Sequence, residues 1–123
     1  MARYIDGFVV PLRHDQVDEY ERVAKGASEI YLEHGALEYH ECLGDDLQVH
    51  CGRSFPDLAG LSEAETVMFA YVVYESREAR DAANEKIMAD PRMAELFDLE
   101  NPPFDLARMG FGGFKSVVHA QRD

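Results

Sequence analysis

Thr66-Val67-Met68-Phe69-Ala70-Tyr71-Val72-Val73-Tyr74 decides the fold. Its alternating positions are apolar on both sides, with Val67, Phe69, Tyr71 and Val73 on one face and Met68, Ala70, Val72 and Tyr74 on the other. β-branched and aromatic residues at this density make a strand, and a strand without a polar face needs cover on both sides. Downstream, Ser76 is placed to cap a helix running to about Ala89, whose inner stripe would be Ala79, Ala82, Ala83 and Ile87. Asp90-Pro91 opens a further short helix through Leu96 and Phe97, with Asp as cap and Pro at the first position. Asn101-Pro102-Pro103 stops it. Arg108 to Val118 then reads as a last strand, and Gly110, Gly112 and Gly113 within it signal a bulge or a close backbone approach.

Upstream, Tyr4 to Leu12 reads as a first strand. Tyr4, Asp6, Phe8, Val10 and Leu12 share one side, Ile5, Gly7 and Val9 the other, and Pro11 marks where pairing stops. From Asp15 to His34, Val17, Tyr20, Ala24, Ala27 and Tyr31, with Val23 and Ile30 beside them, recur at helical spacing until Gly35 supplies a stop. Ala36 to Leu43 alternates as a second strand, with Leu37, Tyr39 and Leu43 facing one way and Glu38, His40 and Cys42 the other, before the turn Gly44-Asp45-Asp46. Leu47 to Glu65 is a long connection, read as a lid or partner-binding arm, with a short hairpin at Val49 to Cys51 and a helical turn at Asp57 to Ala59.

This order is an α+β, ferredoxin-like βαββαβ plan over residues 1–123 as one domain, with an antiparallel sheet and both helices on one face. The second face would remain bare and apolar, more than a monomer tolerates. The expectation is a homodimer, two copies closing sheet against sheet into an α/β barrel.

Twelve Lys and Arg against 24 Asp and Glu give a net charge of −12, which repels phosphate backbones and anionic lipid surfaces. The expected partners therefore exclude nucleic acid and membrane. Arg77 and Arg80, interleaved with Glu78 and Asp81, read as a solvated helix face. The run Val67 to Tyr74 is far short of the roughly 20 apolar residues of a membrane helix. The N-terminus has no leader pattern, and Cys42 and Cys51 are too few for a disulfide framework. A cytoplasmic protein is expected.

Four blocks carry a family resemblance: Tyr4-Ile5-Asp6-Gly7-Phe8-Val9-Val10-Pro11; His34 to Tyr39 with Glu41-Cys42 and Gly44-Asp45-Asp46; Met88-Ala89-Asp90-Pro91-Arg92-Met93; and Pro103-Phe104-Asp105 with Arg108-Met109 and Gly112-Gly113-Phe114. Together they resemble the YbaA-like family of bacterial proteins. The resemblance implies the dimeric α/β-barrel superfamily and no established activity. That superfamily includes cofactor-free quinone-forming monooxygenases, haem-degrading enzymes, lactone isomerases and stress-responsive barrels. The first two commonly use Trp and Asn around an aromatic substrate. This chain has no Trp, and only Asn84 and Asn101, neither in a strand.

Several groups carry candidate chemistry. His40, Cys42, His50 and Cys51 have metal-binding side chains, but adjacent His50 and Cys51 point apart if extended. The plainer reading has Cys42 buried and small, and His50 and Cys51 in a loop. No metal and no cofactor are expected. His40 with Cys42 is also a base beside a thiol, without a nucleophile-elbow context, and Asp45-Asp46 reads as turn chemistry. The catalytic candidates are Asp6, assigned to the barrel interior, and His40. An enclosed carboxylate at Asp6 would have a raised pKa and serve as a general base, with His40, Tyr71 and Arg108 as partners, or else be an interface carboxylate bonded across the dimer. Phe69, Tyr71, Phe111 and Phe114 would line an apolar pocket for a flat ligand, or form plain core. The expected function is small-molecule binding or cofactor-independent catalysis on an aromatic or lactone-like metabolite. The alternative is a non-catalytic dimeric stress-response or protein-interaction module working through the 47–65 connection.

Overall fold

The computed structural model describes residues 2–98 and 100–123. Four strands, β1 (Tyr4–Arg13), β2 (Glu38–Leu43), β3 (Glu65–Tyr74) and β4 (Gly110–Lys115), form one sheet in the order β2-β3-β1-β4. Every neighbouring pair is antiparallel. Helix α1 (Val17–Glu33) follows β1, the single turn α2 (Phe55–Ala59) sits in the long connection, and α3 (Arg77–Ala89) and α4 (Pro91–Leu96) follow β3. This is the ferredoxin-like plan. The bilateral apolarity of Thr66 to Tyr74 corresponds to an inner strand, paired along its length with β1 and on its other side with β2.

The register decides which side chains meet. Tyr4, Asp6, Phe8, Val10 and Leu12 lie opposite Tyr74, Val72, Ala70, Met68 and Thr66, and all five of the β3 residues are buried. This face packs against the helices in two clusters. One joins Val10, Leu12 and Met68 to Tyr20 and Ala24 of α1. The other joins Val72 and Tyr74 to Ala83 and Ile87 of α3. Phe8 packs against both. Gly26 in α1 leaves the room that Leu96 of α4 fills, since a Cβ there would come within 2.6 Å of the leucine side chain.

Local signals account for the element ends. Ser76 caps α3 by accepting from Ala79 N–H at 3.1 Å, and Asp90 caps α4 ahead of Pro91. Pro11 lies beyond Val9, the last β1 residue paired with β4, although β1 continues along β3 to Arg13. Four readings need correction. The last strand is confined to Gly110–Lys115 and Arg108 belongs to a 3-10 turn, because that turn is capped by Asp105. β4 carries no bulge, since its register to β1 runs unbroken. Val49 to Cys51 forms no hairpin. Ala82 faces solvent, leaving Ala83 and Ile87 as the buried stripe of α3.

Candidate functional site

Between helices and sheet, where the two core clusters meet, lies a cavity of about 140 Å³. Phe8, Tyr31, Met93, Phe97, Phe104 and Met109 are among its apolar walls. Among the described residues, the one carboxylate lining it is Glu41. Strand alternation puts Glu41 on the same face as Tyr39 and Leu43, opposite Ala70 of β3, so the chain folds a charged group toward its own helices. Two phenols hold it there. The Tyr20 hydroxyl donates to Glu41 Oε1 at 2.8 Å, and the Tyr39 hydroxyl donates to Oε2 at 2.7 Å.

Burial pushes the Glu41 carboxyl above its usual range, and the Tyr39 and Tyr20 bonds oppose that rise. Burial, reinforced by the Glu41 charge, pushes both phenols up as well. Phenols that stay protonated remain donors, which fixes each carboxylate oxygen as an acceptor. The result is a positioned carboxylate of raised basicity facing an apolar space, the arrangement suited to proton transfer. The same trio lines a second, open groove of about 340 Å³ between α1 and β2.

A second buried polar group lies further along the helix side. Asp6, 2% exposed, has its Oδ1 at 3.7 Å from Arg80 Nε of α3. Burial raises the Asp6 pKa, the Arg80 charge opposes this, and Asp81 adds to it. Arg80 also donates to the Tyr4 hydroxyl at 3.2 Å, with its guanidinium carbon 4.8 Å from the Tyr4 ring centre. Gly113 admits this arrangement, because a Cβ there would meet the Tyr4 hydroxyl at 2.5 Å and Arg80 at 2.8 Å. The close approach read from the β4 glycines is this one. Asp6 Oδ1, Arg80 Nε and the Tyr74 hydroxyl are buried without hydrogen-bond partners among the described residues.

Placement corrects several expectations. Asp6 faces the helices and not the open sheet face, because its neighbours in register are the buried helix-side residues of β3. His40 and Tyr71 lie on the opposite face, paired across β2 and β3 with rings stacked 4.5 Å apart, so neither converges with Asp6. His40 Nε2 contacts Glu38 at 3.2 Å. Arg108 reaches neither group; it pairs with Glu65 and donates to the Gly60 carbonyl at 3.0 Å, fastening the long connection to the start of β3. Arg80 is no solvated surface charge, its side chain being only 17% exposed.

Phe69, Tyr71 and Phe114 do share the open face, around a shallow concavity of about 630 Å³ whose floor includes Gly7 and Gly112. Phe111 borders it but is paired with Phe8, their rings 5.0 Å apart, on the helix side of the edge strand. Cys42 is exposed on the open face and not buried. His40, Cys42, His50 and Cys51 form no three-ligand group among the described residues. The group that does come within 4.8 Å is Glu33, His34 and Asp90, where Arg92 pairs with both carboxylates and His34 Nε2 lies 2.8 Å from Asp90. That cluster ties the end of α1 to the cap of α4.

Glu41, Tyr20, Tyr39, Tyr31 and Arg80 were not singled out as site residues from the sequence. The signal for Glu41 was present, a carboxylate two residues from Tyr39 and two from Leu43 on the apolar side of β2. Arg80 stands at i, i+3, i+7 spacing with the buried Ala83 and Ile87, so helical periodicity puts it on the inner face of α3, and the signal that masked it was its charge among Arg77, Glu78 and Asp81.

A family model described as "Protein of unknown function (DUF1428)" matches residues 3–106. Over 116 residues the chain is 41% identical to "Uncharacterized protein YbaA" of Escherichia coli (strain K12), covering 94% of this chain and 97% of that protein. The same figures hold for the Shigella flexneri protein of that name. Among solved structures, a dimeric ferredoxin-like protein from an uncultured marine organism superposes with a TM-score of 0.60 at 11% identity, covering 99% of this chain and all of that one. A nipsnap family protein with unknown function from Agrobacterium tumefaciens gives 0.59 at 13% identity, covering 96% and 91%. At such identities the structural likeness establishes the fold. Among the described residues no helix is long and apolar enough to cross a membrane.

Proposed function

The chain belongs to the DUF1428 family of proteins of unknown function, and from that premise we propose that it binds a small aromatic or lactone-like molecule between its helices and sheet and exchanges a proton with it through Glu41. The observation that carries this is the doubly held Glu41 carboxylate on the wall of an apolar cavity. A dry apolar cavity of about 150 Å³ accepts a benzene ring, so about 140 Å³ suits one ring. The chemistry needs no cofactor. A proton on carbon next to a ligand carbonyl passes to a Glu41 oxygen, the electron pair moves onto the carbonyl oxygen, and return of the proton elsewhere on the ligand gives an isomer.

p-Cresol is the first probe. It is expected to raise the melting temperature and bind with a measurable Kd, and Glu41→Gln is expected to weaken that binding at least about tenfold, the scale of a hydrogen bond to a charged group. Equal binding by the variant, or no binding by the wild type at millimolar concentration, would contradict the proposal.

The partner we propose is a second copy of the chain, laid on the open sheet face. The isolated chain exposes 8599 Å², against about 6,700 Å² expected for a compact monomer of its mass. Residues 116–123, which lie outside the helices and strands and are mostly exposed, account for part of the excess. Ile5, Val9, Phe69, Tyr71 and Phe114 supply an apolar patch of the kind a dimer covers, which needs about 800 Å² per partner. On this reading His40 and Cys42 lie at the interface and Glu41 does not.

A further inference from the structure

We infer that the ligand of the Glu41 cavity is a neutral ring carbonyl compound, a ketone or lactone, whose oxygen accepts a hydrogen bond from Tyr31 while Glu41 faces its C–H. The inference rests on the cavity reading above. Tyr20, Ala24, Ala27 and Tyr31 recur at helical spacing on α1, and all four line the cavity. The two alanines leave the room, and a tyrosine stands at each end. Counting Tyr39 of β2, three phenols border the space. Tyr20 and Tyr39 commit their hydroxyls to Glu41. The Tyr31 hydroxyl has no partner among the described residues, although its ring packs edge-on against Tyr39, with centres 5.3 Å apart.

That hydroxyl faces the cavity. Burial pushes the Tyr31 pKa up and the Asp6 and Glu41 charges add to the rise, which puts the oxygen in the interior. Among the described residues, the fully buried side-chain atoms left without a partner are those of Asp6, Tyr74 and Arg80. The Tyr31 oxygen therefore borders open space, and the space that Tyr31 lines is the cavity. A phenol kept protonated near two carboxylates is a donor in want of an acceptor. Among the described residues no Lys or Arg lines the cavity, so an anionic acceptor would be buried uncompensated beside Glu41. A neutral carbonyl meets both conditions and acidifies the adjacent C–H. That C–H bond breaks, its proton passes to a free lone pair of Glu41, and its electron pair becomes the C=C bond of an enolate. Tyr31 keeps its own proton and donates to the enolate oxygen, where the charge collects.

The test uses cyclohexanone, with methylenecyclohexane as a hydrocarbon of the same shape. Tyr31→Phe is expected to weaken cyclohexanone binding roughly three- to tenfold, the scale of one neutral hydrogen bond, and to leave methylenecyclohexane unchanged. In the wild-type complex the infrared carbonyl stretch of cyclohexanone should lie at the lowered frequency of a hydrogen-bonded ketone, and in the Tyr31→Phe complex it should rise toward its frequency in hexane. A loss shared by both ligands, or a wild-type stretch already at the hexane frequency, would overturn the inference. So would a wild type that binds p-cresol and not cyclohexanone. In each of those cases the p-cresol result decides the Glu41 reading separately. If neither p-cresol nor cyclohexanone binds the wild type, both fall together.

Discussion

Phe69→Glu is expected to leave the chain folded and to turn a dimer into a monomer. Phe69 is 44% exposed in the isolated chain and stands on the open face beside Val9 in register, so replacing it disturbs little within one copy. In a two-fold interface each substitution appears twice, and the pair would bring two desolvated carboxylates into a contact between chains that each carry −12. Losing a central aromatic anchor costs about 2–4 kcal/mol, or roughly 30- to 1,000-fold in dissociation constant. Light scattering on the wild type should give twice 13.9 kDa, and on the variant 13.9 kDa. A wild type already at the monomer mass would refute the dimer, as would a variant that keeps the doubled mass at micromolar concentration.

Arg80→Ala should be among the most destabilising single changes, and its cost should depend on pH. Removing the guanidinium leaves the Asp6 carboxylate, 2% exposed, without its counter-charge, and breaking a buried pair in this way costs about 3–5 kcal/mol. The folded-state pKa of Asp6 is already raised above its ordinary 3.8 by burial. Over the window between 3.8 and that higher value the folded chain holds more protons than the unfolded chain, so stability from this group falls as pH rises through it. Arg80 restrains the rise; without it the window extends further up. Urea unfolding should therefore show a large loss at pH 7.5 and a smaller one at pH 4. Asp6→Asn in the same chain should recover much of the loss at pH 7.5. A loss equal at both pH values and unrelieved by Asp6→Asn would mean that Arg80 acts through packing on Tyr4 alone.

The architecture was legible because its signals are local and repeated. The both-sided apolarity of Thr66 to Tyr74, the helical spacing from Val17 to Tyr31, and the caps at Ser76 and Asp90 all point to the same plan, and each appears where expected. What the chain does not show is which side of β1 meets the helices. Ile5 and Val9 are as apolar as Phe8 and Val10, so alternation separates two sets without saying which is inner; only the register to β3 assigns Asp6 to the helix side. Glu41 was readable in principle from its place between Tyr39 and Leu43, but its partner Tyr20 is 21 residues away on α1. Such a contact depends on how α1 lies over the sheet, which no spacing within the chain encodes. The same is true of Arg80 over Tyr4, a contact between residues 76 apart.

The most direct test of the account is where a ligand lands. The measurement is a p-cresol titration followed through the methyl and aromatic NMR signals of the protein. The expected result is a saturable shift of Tyr20, Tyr39, Met93 and Met109 around Glu41, with Tyr71, Phe69 and Phe114 unmoved. Shifts confined to Tyr71, Phe69 and Phe114 would instead put the binding site on the open face and contradict the assignment of Glu41.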